Sequence, residues 1–154
     1  MLKPNIIVYT DGSSRGNPGP GGYGIVMQKF GSNYIKEFSE GYRRTTNNRM
    51  ELLAVIIALE KIKKEDQVVH VYTDSKYVSN SVEEKWIFNW EKKGFKNKKN
   101  PDLWLRFLKV YRKHQVSFFW IKGHNNNIKN ERCDFLAFEA SKKSELKIDN
   151  EYEK

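Results

Sequence analysis

Apolar positions along the chain change their period near residue 48. Before that point they fall in short blocks and alternations. NIIVYT (Asn5–Thr10) is β-branched and aromatic, as a strand is. GYGIVMQKF reads as a second strand, and Gly31-Ser32-Asn33 marks a turn. Tyr34–Glu40 (YIKEFSE) alternates apolar and polar, as a half-buried third strand does. From Asn48 the spacing becomes helical: Met50, Leu53, Ala54, Ile57 and Ala58 form one stripe, widened by Leu52, Ile56 and Leu59. This predicts a helix buried on much of its surface, with capping chemistry in Thr45 to Asn48.

The remaining elements follow by the same reading. VVHVYT (Val68–Thr73) is a short continuous strand, and SKYVSNSV and EEKWIFNWEKKG are short helices, the second ended by Gly94. PDLWLRFLKVYRKH has proline near its start and an amphipathic run behind it. VSFFWI predicts a last strand and NERCDFLAFEASKK a last helix. The order β-β-β-α-β-α-α-α-β-α predicts an α/β domain. Three antiparallel strands feed parallel strands through helical crossovers, giving a mixed sheet with helices on both faces. One domain spans residues 1–144. The charged segment 145–154 lacks periodicity and is expected to be disordered.

Composition narrows the function classes. At 154 residues the chain has the size of one domain. No apolar run approaches the roughly 18 residues of a membrane span, and the N-terminus lacks a signal-peptide layout. One cysteine excludes an internal disulfide framework, and with only three histidines beside it a closed structural zinc site is not expected. The single cysteine fits a reducing cytoplasm. The formal net charge of +9 favours a polyanionic partner, although charge alone also fits a basic protein without one.

Four carboxylates fall at the ends of these elements. Asp11 closes the first strand and Asp74 the fourth, Glu51 lies in the first turn of the long helix, and Asp134 near the start of the last helix. Each has a plain structural alternative: Asp11-Gly12 as a turn pair, Asp74 as a cap, Glu51 and Asp134 as partners of a helix dipole. Repetition is what these alternatives leave unexplained, because Tyr-Thr-Asp-(Gly/Ser)-Ser ends a strand twice. In open α/β sheets functional groups gather beyond strand C-termini. Carboxylates brought together there repel unless cations neutralise them, and an all-oxygen donor set suits Mg²⁺ or Mn²⁺.

The glycine-rich stretch YTDGSSRGNPGPGGYG raises a rival, a nucleotide-binding loop. A dinucleotide fingerprint needs a helix straight after its glycines. Here prolines interrupt the run, a strand follows, and no Gly-Lys-Ser/Thr is present. PGPGGYG is read as the turn into the second strand.

Four motifs in order, YTDGSSRGNPGPGGYG, GYRRTTNNRMELLAVIIALE, VYTDSKYV and WIKGHNNNIKNERCDFLA, resemble bacterial ribonuclease H of the first type. The resemblance implies a five-stranded ribonuclease H-like sheet and a monomeric endonuclease. It implies cleavage of the RNA strand of RNA–DNA hybrids with two Mg²⁺ ions, leaving 5′-phosphate and 3′-hydroxyl ends. Removal of RNA primers and R-loops is the implied role. Asp11, Glu51, Asp74 and Asp134 then match the metal ligands. His124 matches a loop histidine that aids proton transfer or product release. Rival readings are a hybrid-binding domain without catalysis, and a nuclease or integrase of the same fold acting on DNA.

Choosing RNA requires reading 2′-hydroxyls across a wide minor groove. Gly12, Ser14, Asn17, Asn47, Asn48 and Lys76 are the expected RNA-strand contacts, and Ser13 has turn duty. Ser14 stands where the family often has cysteine. Arg44, Thr46 and Asn100 match a pocket that grips one DNA phosphate. KWIFNWEKKGFKNKKNPDLW (85–104) resembles the family's basic protrusion, slightly shortened. Trp86, Trp90, Trp104, Lys92, Lys93, Lys96, Lys98 and Lys99 are its expected DNA-strand contacts, with Trp86 and Trp104 also serving the core.

Overall fold

The computed structural model describes residues 2–123 and 125–154. Its elements are β1 (Ile6–Ser14), β2 (Gly19–Lys29), β3 (Ile35–Thr45), α1 (Asn47–Glu60), β4 (Val68–Thr73), α2 (Lys76–Glu83), α3 (Trp86–Lys92), α4 (Pro101–Tyr111), β5 (Gln115–Trp120), α5 (Ile128–Ser141) and α6 (Asn150–Glu153). The five strands form one sheet in the order β3-β2-β1-β4-β5. β1 to β3 pair antiparallel; β4 pairs parallel with β1 and with β5. This is the mixed sheet that the element order predicts.

α1 is buried nearly all round: Met50, Leu52, Leu53, Ala54, Val55, Ile56, Ala58 and Leu59 all lie in the interior. It sits between the sheet and α4, whose Trp104, Phe107 and Leu108 join Val8, Ile25, Val69 and Val71 of the strands in one core. Each such large side chain contributes on the order of 1.5–3 kcal/mol by leaving water. Thr46 starts α1, its Oγ1 accepting the Arg49 N–H at 3.2 Å.

Three details differ from the sequence reading, each for a local reason. β1 does not end at Asp11 but runs to Ser14, with Asp11 paired to Gly24 of β2. The reversal is confined to Arg15–Pro18, and Gly19 to Gly24 belong to β2. The glycines there are clearance for a helix. A Cβ on Gly22 would lie 2.6 Å from the Ala137 oxygen of α5, and one on Gly24 would collide with the Cys133 oxygen. α5 also starts earlier than NERCDF suggests, because the Asn127 side chain accepts the Asn130 N–H at 2.9 Å and caps it. Asp134 therefore lies in its second turn, and Glu51 likewise opens the second turn of α1.

The segment expected to be disordered is docked. Lys147 bridges to Tyr42 beside β3, and its N–H donates to the Gly41 oxygen at 2.9 Å. Asp149 is buried against Arg49 and Thr45, and α6 follows it. No periodicity marks this segment because backbone pairing at Lys147 and the ion pairs of Asp149 and Glu153, rather than an apolar stripe, hold it.

Candidate active site

The parallel pairing of β1 and β4 stops at Tyr9 and Tyr72. Two residues further on stand Asp11 in β1 and Asp74 just past the end of β4, so the same register sets them side by side. β1 continues along β2 while β4 turns into α2, and the sheet opens between them. This is the crevice beyond strand ends where α/β folds place their chemistry.

Two helices close on the crevice from opposite faces. Side chains alternate along a strand, so Gly12 faces α1 while Asp11 shares its face with paired Gly24 and with α5. A Cβ on Gly12 would lie 2.6 Å from the Met50 oxygen. This contact lets α1 rest on β1 and carries Glu51 to Asp11. The glycine clearance under α5 lets Asp134 line the same cleft as Asp11, Glu51 and Asp74. Carboxylate oxygens of Asp11, Glu51 and Asp74 lie within 4.8 Å of one another. The four residues singled out by sequence thus come together.

Their electrostatics are those of an unneutralised cluster. Burial, then the Asp74 charge, then Asp134 push the Asp11 carboxyl up to about 8, and the Gly12 N–H opposes them. Burial, then the charges of Asp11 and Asp74, raise Glu51 well above the ordinary carboxylate range. Glu51 Oε1 is buried and has no hydrogen-bond partner among the described residues. An orphaned carboxylate oxygen amid like charges, with only oxygen donors around it, is what a hard divalent cation satisfies. Cys133 takes no part: its thiol donates to the Tyr9 oxygen at 3.2 Å, and burial raises its pKa.

Around the carboxylates the cleft is lined by Gly12, Asn47, Asn48, Ser75 and Lys76. Ser14 N–H donates to Asn47 Oδ1 at 2.6 Å, and Asn47 N–H donates to Asn17 Oδ1 at 3.0 Å. These bonds fix the β1–β2 reversal to the start of α1 and use the amide oxygens, not the amide nitrogens. Lys76 lies with Nζ 4.6 Å from the Trp120 ring centroid, and Trp120 Nε1–H donates to the Asp74 backbone oxygen at 2.9 Å. Sequence reasoning passed over Trp120, although it ends β5 opposite Thr73 in the register. It also passed over Gly123, where a Cβ would meet Asp74 Oδ2 at 2.5 Å. His124 lies outside the described residues.

A second group of predicted residues gathers around Arg49. Thr46 caps α1 there, and Asn100 Oδ1 accepts from Arg49 Nη1 at 3.2 Å. Arg44 is exposed on β3, two residues before Thr46. The buried Arg49 escaped the sequence reading because nothing in its neighbourhood signals its partners, Asp102 and Asp149.

In the protrusion, Lys92, Lys93, Lys96, Lys98 and Lys99 are all exposed. Lys98 Nζ stands 4.9 Å from the Trp90 ring, beside a hollow also lined by Lys93 and Lys96. Trp86 is 47% exposed, whereas Trp104 is fully buried. Trp104 therefore has no face to offer a nucleic-acid strand, which corrects the sequence expectation. Its indole N–H donates to the Tyr77 hydroxyl at 2.9 Å, and Trp90 packs edge-on against it. The helical spacing that puts Trp104 beside Phe107 and Leu108 marks it as core.

A family model described as RNase H matches residues 3–142. A ribonuclease H of Trichodesmium erythraeum is 48% identical over 98% of this chain and 98% of its own length. One of Desulforamulus reducens is 52% identical over 94% of this chain and 92% of its own. Among solved structures, LC9-RNase H1, titled a type 1 RNase H with the type 2 active-site motif, superposes with a TM-score of 0.79. It is 31% identical, over 92% of this chain and 74% of that one. LC11-RNase H1, solved in complex with RNA/DNA hybrid, gives a TM-score of 0.67 at 32% identity, over 88% of this chain and 95% of that one.

Proposed function

The chain belongs to the RNase H family, and from that premise we propose how its residues divide the work of cutting RNA. The activity is hydrolysis of the RNA strand of an RNA–DNA hybrid. The observation that carries the site assignment is the convergence of Asp11, Glu51 and Asp74 within 4.8 Å of one another, with an oxygen of Glu51 that has no partner among the described residues.

Asp11, Glu51, Asp74 and Asp134 would hold a pair of Mg²⁺ ions, with Mn²⁺ as a substitute. When bound, the pair supplies Lewis acidity for a water nucleophile and for the departing 3′-oxygen. The water oxygen bonds to phosphorus as the water gives up a proton, the bond to the 3′-oxygen breaks and that oxygen takes up a proton, so the products carry a 5′-phosphate and a 3′-hydroxyl. His124 serves proton transfer or product release.

Gly12, Ser14, Asn17, Asn47, Asn48 and Lys76 face the RNA strand and read its 2′-hydroxyls. Arg44, Thr46 and Asn100 grip one DNA phosphate, and a duplex that cannot flex to reach this pocket is rejected by shape. Trp86, Trp90 and lysines 92, 93, 96, 98 and 99 lie along the DNA strand. The protein acts as a monomer in the cytoplasm, on RNA primers and R-loops. No helix of the described residues is long and apolar enough to cross a membrane.

The test is one assay on three duplexes. With Mg²⁺ the hybrid is cut in its RNA strand, double-stranded DNA and RNA are not, and EDTA stops the reaction. Equal cutting of double-stranded DNA would move the chain to another activity of this fold.

A further inference from the structure

Asp149, in the segment with no periodicity, meets the substrate-binding surface through one side chain. Arg49 is 4% exposed, and a guanidinium so buried is costly unless fully partnered. Nε and Nη2 donate to Asp149 at 2.7 and 2.9 Å. Nη1 and Nη2 donate to Asp102 at 3.0 and 2.7 Å. A guanidinium has five N–H donors, and the fifth goes to Asn100 Oδ1 at 3.2 Å. Asp149 is itself fixed, accepting from Thr45 Oγ1 at 2.8 Å.

Asn100 gains an orientation from this. It precedes α4 with φ 63 and makes no cap bond with its side chain. Guanidinium can only donate, so Arg49 selects the oxygen end of the amide and turns the nitrogen end away. Asn100 Nδ2 donates to the Tyr77 hydroxyl at 3.1 Å and keeps one further N–H. The Arg49 backbone N–H meanwhile holds Thr46 Oγ1. One residue thus ties both Thr46 and Asn100.

We propose that Asp149 is a positioning residue for the DNA-phosphate pocket. It locks Arg49, and Arg49 holds Asn100 with an N–H directed at the phosphate. This rests on the reading of Arg44, Thr46 and Asn100 as that pocket. Residues 145–154 are accordingly part of the substrate-binding apparatus, although none of them is among the assigned substrate contacts. A brace that only stabilised the fold would carry the same ion pairs, so the test needs a readout that stability does not move.

Asp149→Asn keeps the shape and removes the charge. The KM for hybrid rises roughly tenfold, the scale of one misplaced charge-assisted hydrogen bond, while kcat stays within about twofold. Single neutral methylphosphonates are then walked along the DNA strand. Wild type loses affinity at one position. The variant loses nothing further there and stays sensitive elsewhere. The Asn100 side-chain amide resonance shifts in Asp149→Asn and not in Arg43→Ala, which cuts only the exposed pair between Arg43 and Glu153. If Asp149→Asn does not fold, Arg49→Lys replaces it, keeping a cation and losing the Asn100 contact. A KM penalty of equal size whether that phosphate is charged or neutral, or an unmoved Asn100 resonance, overturns the proposal. A wild type with no single sensitive phosphate sinks the pocket reading beneath it.

Discussion

Gly12 and Met50 stand so close that no side chain fits between them: a Cβ on Gly12 would lie 2.6 Å from the Met50 oxygen and closer still to its carbonyl carbon. This contact sets the height of α1 over β1, and Glu51 follows Met50 directly. Gly12→Ala must therefore separate helix from strand. It should cost about 1–3 kcal/mol of stability, the usual scale for overpacking. It should also lower cleavage at least ~100-fold, because displacements near 1 Å do so in positioned sites. Gly31 has nothing within 4 Å of a built Cβ, so Gly31→Ala pays only for its φ of 77 and keeps full activity. Denaturant melts and hybrid cleavage of both variants check this, and an active Gly12→Ala would refute the spacing argument.

The carboxylate cluster should trade stability for activity. Asp11, Glu51 and Asp74 oppose one another at under 5 Å in the metal-free protein. Asp11→Asn and Asp74→Asn keep the shape and remove one charge. Each should abolish nearly all cleavage while hybrid binding survives, and each should stabilise the metal-free protein by about 1–2 kcal/mol. Saturating Mg²⁺ should shrink or reverse that gain, because only the wild type retains the full site. Melting curves with and without Mg²⁺ separate the two effects. Near-normal turnover in either variant would refute the metal assignment.

What the sequence made legible follows from which interactions have a period. The order of the elements and the burial of α1 came from apolar spacing, and Asp11 with Asp74 from a repeated strand ending. Asp149 was invisible, because a single carboxylate paired to Arg49 across 100 residues leaves no local pattern. The Gly19–Gly24 run was misread as a turn because glycine signals both a reversal and a close helix approach. Only the position of Ala137 and Cys133 on the facing helix distinguishes them. Trp104 was given both a substrate contact and a core role, and only the core role stands, as its spacing to Phe107 and Leu108 already indicated.

The two tryptophans should accordingly separate. Trp86→Ala should raise the KM for hybrid a few-fold and leave the melting temperature nearly unchanged, since its ring is 47% exposed. Trp104→Phe should leave KM alone and cost about 1–3 kcal/mol, from lost volume and from the Tyr77 hydroxyl losing a donor. A KM effect confined to Trp104 would return that residue to the substrate surface.

The protrusion lysines predict a change in salt dependence. Lys92, Lys93, Lys96, Lys98 and Lys99 have no carboxylate within ion-pairing distance among the described residues. Each that meets a phosphate releases a counterion, worth roughly 0.7–0.9 in the slope of log affinity against log salt. Changing all five to glutamine should flatten that slope by several such steps and raise KM, with kcat preserved at saturating hybrid. An unchanged slope would mean the lysines are idle.

His114 should make the far end of the molecule acid-sensitive. It is buried, and its Nδ1 accepts the Gln67 N–H at 3.2 Å, tying the approach to β4 to the segment after α4. Burial pushes its pKa below the ordinary value and Lys113 adds to this, while Glu65 and Asp66 pull the other way. The unfolded imidazole takes its proton near pH 6.5. The folded one takes it lower, so its contribution is fully present above about pH 6.5 and is lost as pH falls through the folded pKa. The cluster at Asp11 and Glu51 works in the opposite sense, since carboxylates with raised pKa destabilise as pH rises. The whole-protein curve therefore mixes the two, and the useful quantity is a difference. Wild type minus His114→Gln, measured by urea unfolding, should hold from pH 7.5 to about pH 6.5 and narrow from there to pH 5. A gap that stays constant or widens toward acid would show that the imidazole is not buried neutral.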